Sequence, residues 1–145
     1  RTVDFRRDIQ PFIDAKYHTL KGPQHTAIVG SSMGGLVSLY FALWQPRRFG
    51  HVAALSPSLW WDDRVVIRDF SRLRRKPAVR LWLDMGTAEP GWEVVRAMRA
   101  GLVKRGWKPG KDLHYQEVSE AEHTEHAWAA RTGEVLKWML RPTRA

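Results

Sequence analysis

Ser32 stands in the run Gly30, Ser31, Ser32, Met33, Gly34, Gly35, a GxSxG arrangement. The apolar stretch Thr26, Ala27, Ile28, Val29 precedes it directly, and a helical pattern through Leu36, Val37, Leu39, Tyr40 and Leu43 follows. A short strand, a glycine-flanked serine and an amphipathic helix read as a nucleophile elbow, a turn that lifts the serine above the sheet edge in strained backbone geometry. A side chain at position 30 or 34 is expected to collide with the neighbouring strand or helix. The competing reading is a glycine-rich turn that only packs. A serine alcohol ionises far above neutral pH, so attack on a carbonyl needs a general base within reach and an acid that orients the base. His123, in Ser119, Glu120, Ala121, Glu122, His123, Thr124, Glu125, His126, and Glu89, in Leu83, Asp84, Met85, Gly86, Thr87, Ala88, Glu89, are candidates for those parts. The chemistry would be acyl transfer through Ser32, with the Met33 N–H donating to the oxyanion.

Strands and helices must alternate to bring these loops together, and the apolar pattern does alternate. A helix is expected over 4–18, with Phe5, Ile9, Phe12 and Ile13 on one stripe and a kink at Pro11. The elbow strand covers 26–30 and its helix 33–44, ending before Pro46. Residues 51–56 read as a buried strand, followed by the loop Ser58, Leu59, Trp60, Trp61 and a short helix through Val66, Ile67 and Phe70 capped by Asp62 or Asp63. Strands follow at 79–85 and 113–118, and helices at 93–104 and 127–140. Val94, Val95, Met98 and Leu102 are expected inward on the first of these helices, and Val135, Leu136 and Met139 on the second. This is an α/β pattern with a mostly parallel sheet and flanking helices, and its elbow makes it an α/β-hydrolase.

Chain order in that fold is serine, then acid, then histidine. Glu89 and His123 both fall in loops after strands, at the sheet edge where ligands bind in open α/β sheets. Asp84 and Glu93 compete for the acid's part, Asp84 as a buried satisfied carboxylate inside its strand and Glu93 as a first-turn helix residue. His126 competes for the base's part, from a position that fits the start of the last helix. A metal held by His123, Glu125 and His126 is not expected, because this spacing lacks the further ligands zinc requires. His18, His25, His51 and His114 have no nucleophile or acid pattern around them.

Composition narrows the classes. The chain has 145 residues with 43% hydrophobic content, enough for one core and one domain spanning 1–145. Only about 25 residues precede the elbow, where this fold ordinarily has about four strands, so the chain reads as the C-terminal part of a longer hydrolase domain, lacking the N-terminal strands, with a naturally minimal domain as the rival reading. There is no Cys, which fits a reducing, cytoplasmic setting, although a signal peptide upstream would change that. The absence of an 18-residue apolar run argues against a membrane span. A net charge of +9 invites a nucleic-acid reading, but the basic residues are scattered and Arg72, Arg74, Arg75 and Lys76 sit in a solvated loop before Pro77. No nucleic-acid partner is expected; anionic substrates would be attracted.

The order and spacing of GSSMGG, SPSLWW, LDMGTAE and EAEHTEHAW resemble the esterase family that includes esterase D and the enterobactin-type siderophore esterases. The resemblance runs from about residue 5 to the end. It implies Ser32 as nucleophile, Glu89 as acid and His123 as base, with Trp128 the aromatic that follows. It likens Trp60 and Trp61 to a segment near the substrate cleft, with packing under the loop as the alternative. The implied activity is carboxylic-ester hydrolysis through an acyl-enzyme, on a small-molecule ester, with no cofactor and no metal. In such relatives the upstream region supplies a second oxyanion donor. Losing one donor costs roughly 10²- to 10³-fold in rate, so this chain alone is expected to be nearly inactive. An acyltransferase of the same superfamily and a non-catalytic, partner-dependent half-domain are the alternatives, the latter with self-association through an exposed sheet edge.

Overall fold

The computed structural model describes residues 4–141. Four parallel strands form its sheet, β1 (Ala27–Ser31), β2 (His51–Leu55), β3 (Arg80–Gly86) and β4 (Leu113–Val118), lying side by side in chain order. Between and after them run α2 (Met33–Trp44), α3 (Trp61–Ser71), α4 (Glu93–Lys104) and α5 (Glu125–Leu140); a π-helical turn (Phe5–Ile9), α1 (Gln10–Lys16) and a 3₁₀ turn (Pro23–His25) precede β1.

The central strands have almost no polar face, because helices cover both sides of a parallel sheet. All five residues of β2 are buried. Side-chain alternation then divides the core. Val52, Ala54, Leu81 and Leu83 face a large cluster with Leu36 and Leu39 of α2, Val66 and Phe70 of α3, and Met98 and Leu102 of α4. Ala53, Leu55 and Trp82 face the opposite way, against Val135 and Met139 of α5. β1 pairs only with β2 among the described residues, and its Val29 is exposed.

Several expectations need correction. Ile9, Phe12 and Ile13 are exposed and α1 buries nothing, because this short helix packs on the turn before it and not on the sheet. Pro11 is the second residue of α1, directly after the π-helical turn, where a first-turn N–H has no partner within α1 to lose. Neither Asp62 nor Asp63 caps α3. Asp62, Asp63 and Arg64 instead take left-handed φ values of 46°, 49° and 61°, and the Asp63 carboxylate receives Arg68 at 2.8 Å. On α5, Leu136 is exposed, and the buried stripe runs through Arg131, Val135 and Met139 at four-residue spacing. α5 also begins two residues before the expected start, where the Thr124 hydroxyl accepts the Ala127 N–H at 3.2 Å as an N-cap.

Candidate active site

The C-terminal ends of β1, β2, β3 and β4 share one sheet edge, and Ser32, Ser56, Glu89 and His123 lie in the segments that leave them. Ser32 links β1 to α2 with φ 55° and ψ −121°, a backbone conformation that a non-glycine residue adopts only under strain. Three backbone bonds hold it there: Ser32 N–H donates to the Leu55 carbonyl, and the Ser32 carbonyl accepts from Leu36 and Ser58 N–H, at 3.0 to 3.1 Å. Gly30 is required by close approach, since a Cβ on it would lie 2.3 Å from the Gly34 carbonyl oxygen. The expected clash at Gly34 does not occur: a Cβ there meets nothing within 4 Å, and Gly35 is the tight position, 3.1 Å from Pro57.

Glu89 and His123 come from neighbouring loops that are stitched together. The Thr87 hydroxyl accepts the Glu120 N–H at 2.9 Å, and the Ala121 carbonyl accepts the Ala88 N–H at 3.3 Å. This approach needs Gly86 bare, because a Cβ there would lie 2.0 Å from the Ala121 oxygen. His123 is the last residue before the N-cap of α5, so the helix start fixes its place. Its Nε2 lies 2.8 Å from Ser32 Oγ and its Nδ1 lies 2.7 Å from Glu89 Oε2. Glu89 is 2% exposed, His123 is exposed to solvent, and Trp128 meets the His123 ring edge to face at 4.9 Å. The structure thus brings Ser32, His123 and Glu89 into one hydrogen-bonded row. Such a row can move a proton from the hydroxyl to the imidazole while the carboxylate holds the ring.

The competitors sit elsewhere. Asp84 is fully buried and its oxygens accept from Trp82 Nε1 at 2.7 Å and Arg131 Nη2 at 2.9 Å. Glu93 and His126 are exposed in the first turns of α4 and α5. Met33 is the first residue of α2, where an amide has no intrahelical acceptor and is free to meet an anion. Trp60 and Trp61 are 65% and 48% exposed and pack edge to face at 5.9 Å, while Leu59 fills the core beneath them. They lie just beyond Ser58, whose Oγ is 3.5 Å from Ser32 Oγ and whose carbonyl accepts the Trp61 N–H. Among the described residues no group of three His, Cys, Asp or Glu side chains is placed to hold a metal, and no helix is long and apolar enough to cross a membrane.

Sequence reasoning missed Ser56 and Arg131. Ser56, directly after β2, donates its hydroxyl to Glu89 Oε1 at 2.5 Å and accepts from Arg131 Nη2 at 2.8 Å and Trp128 Nε1 at 3.1 Å. For Arg131 the signal lies in two misfits, an acid in the apolar run of β3 and an arginine on the buried stripe of α5, while Ser56 carries none. A buried charge of either sign calls for its opposite.

A parallel sheet flanked by helices on both faces, with a strained serine turn at its C-terminal edge, defines the α/β-hydrolase fold. The chain belongs to the family described as "Putative esterase", whose model matches residues 4–139. Among curated proteins it is 36% identical to an iron(III) enterobactin esterase of Dickeya dadantii, over 81% of this chain and 30% of that protein. It is 29% identical to the uncharacterized protein YbbA of Bacillus subtilis, over 84% of this chain and 46% of that protein. It therefore spans less than half the length of these relatives. The enterobactin esterase of Shigella flexneri, solved in the presence of enterobactin, superposes with a TM-score of 0.82 at 23% identity, over 93% of this chain and 35% of that one.

Proposed function

We propose that this chain carries the nucleophile, base and acid of a serine carboxylic-ester hydrolase. The observation that carries the reading is the row Ser32–His123–Glu89, with bonds of 2.8 and 2.7 Å, at the edge of an esterase-family sheet. In this reading His123 Nε2 takes the proton of Ser32 Oγ as the oxygen attacks the ester carbonyl. Glu89 holds Nδ1–H and stabilises the imidazolium. The Met33 N–H donates to the oxyanion of the tetrahedral intermediate. That intermediate collapses as the imidazolium protonates the departing alcohol, leaving an acyl group on Ser32. Water deprotonated by His123 then attacks the acyl-enzyme and releases the acid, restoring the serine.

The substrate class we favour within this reading is a siderophore-type ester. Support comes from the likeness to the iron(III) enterobactin esterase of Dickeya dadantii and from the exposed Trp60–Trp61 pair, whose flat apolar faces suit an aromatic acyl or alkyl group. The test is turnover of a p-nitrophenyl ester by the natural protein at its full length and its Ser32→Ala variant, with and without an added alcohol acceptor. Hydrolysis lost in Ser32→Ala is the expected result. Acyl transfer to the alcohol in preference to water would replace hydrolase by acyltransferase, and absence of turnover in the natural protein would favour a non-catalytic binding role.

A further inference from the structure

The hydrogen bonds around Ser56 run in one direction only, and that direction reaches His123. A serine hydroxyl has one proton to give and two lone pairs to accept with. Both acceptor sites of Ser56 Oγ are met by groups that can only donate, Arg131 Nη2 at 2.8 Å and Trp128 Nε1 at 3.1 Å. The hydroxyl proton is therefore left for Glu89 Oε1, 2.5 Å away. Oε1 also receives the Gly86 N–H at 2.8 Å, so this oxygen is filled as an acceptor. Oε2 is then the oxygen that receives His123, and a carboxylate accepting there requires the imidazole proton on Nδ1. A proton on Nδ1 leaves the Nε2 lone pair aimed at Ser32 Oγ, the tautomer a general base needs.

We propose that Ser56, held as a one-way donor by Arg131 and Trp128, is a positioning residue that sets the His123 tautomer through Glu89. The proposal rests on the Ser32–His123–Glu89 reading above. Asp84 completes the device. Its carboxylate neutralises Arg131 at 2.9 Å, with both side chains buried, so the guanidinium stays in place beside Ser56 without forming an ion pair with Glu89. The backbone serves the same end: the Ser56 N–H donates to the Asp84 carbonyl at 3.0 Å and to Asp84 Oδ1 at 3.3 Å, fixing the residue at a φ of 43°.

The experiment compares Ser56→Ala and Ser56→Cys with the natural protein, reading kcat and KM on a p-nitrophenyl ester and the His123 tautomer from ¹⁵N chemical shifts of labelled histidine. The loss of one hydrogen bond to a charged acceptor should lower kcat roughly 10- to 100-fold in Ser56→Ala with KM unchanged. Without the Ser56 donor only the Gly86 N–H holds Oε1, so the Glu89 carboxylate is free to turn, its bond to Nδ1 weakens, and the His123 signal should move from a pure Nδ1–H pattern toward a mixture of tautomers. Ser56→Cys keeps the side-chain shape with a weaker donor and should fall between the two, and it carries the test if Ser56→Ala does not fold. Wild-type kcat with a pure Nδ1–H pattern in either folded variant overturns the proposal, as does a change confined to KM. Ser32→Ala is run alongside to separate two failures. If it keeps turnover, the reading of the site falls; if it is dead while the Ser56 variants behave as wild type, only the Ser56 relay falls.

Discussion

Gly30→Ala should damage stability and turnover together, and the structure gives the scale of both. The added Cβ would lie 2.3 Å from the Gly34 carbonyl oxygen and 2.4 Å from its carbon. Both are backbone atoms, so no side-chain rotation relieves the clash. The first turn of α2 must retreat by about 0.7 Å to reach even a 3.0 Å contact. Overpacking of this kind typically costs about 1 to 3 kcal/mol. A shift of that size passed on to Ser32, directly before the turn, is enough to stretch its 2.8 Å bond to His123 to the limit of a hydrogen bond. A reacting group misplaced by about 1 Å can lose about 10²-fold in rate, and a loss approaching that is expected in kcat. Gly34→Ala is the control. Its Cβ meets nothing within 4 Å, and alanine favours a helix over glycine by up to about 1 kcal/mol, so this variant should be as stable as the natural protein or slightly more so. Urea midpoints and ester kcat for the two variants decide the matter. A Gly30→Ala protein with wild-type midpoint and kcat, or a Gly34→Ala protein as destabilised as Gly30→Ala, would refute the steric account of the elbow.

Three other outcomes follow from the geometry. His123→Ala should lower kcat about as much as Ser32→Ala, with the double variant hardly worse, while Glu89→Gln is milder and His126→Ala stays within about tenfold of wild type; steady-state kinetics on the four variants check this. Burial pushes the imidazoles of His51 and His114 below their ordinary value of 6.5, only partly opposed by their contacts with the Gln24 carbonyl and the Gln116 side chain. The unfolded chain then binds protons that the fold resists. Stability should be full above pH 6.5 and decline as pH falls below it toward the lowered folded values, and His114→Gln should flatten the decline seen in urea midpoints between about pH 7.5 and 5.5. Trp60→Ala and Trp61→Ala should leave the urea midpoint nearly unchanged, since exposed substitutions usually stay within about 0.5 kcal/mol, while raising KM for aromatic esters if the pair forms a substrate wall.

Local pattern made most of the framework legible. α2, α4 and β4 begin and end where apolar periodicity and turn residues place them, because each signal lies within the element itself. Gly106, with φ 100°, ends α4 by the same local logic. That Glu89 and His123 meet Ser32 could be anticipated, because chain order and the shared sheet edge restrict which loops come together there. What escaped depends on distant neighbours. The α1 stripe looked buried because amphipathicity says which residues share a face and not whether a sheet lies under it. Apolarity alone puts Leu136 on the buried stripe of α5, but Arg131 holds that stripe, and it is buried only because Asp84, 47 residues away in the chain, neutralises it. Ser56 carries no local sign that its hydroxyl will join three other side chains. The crowding at Gly30 and the open space at Gly34 likewise depend on how the helix turn settles over the strand, which the GxSxG pattern does not encode.

The central claim is that Ser32 is the nucleophile activated by His123. The most direct measurement is covalent labelling of the natural protein with a fluorophosphonate, followed by peptide mass spectrometry to locate the adduct. The account predicts a single adduct on Ser32, abolished in Ser32→Ala, strongly slowed in His123→Ala and retained in Ser31→Ala. An adduct on Ser31 or Ser58, or undiminished labelling of Ser32→Ala, would contradict it.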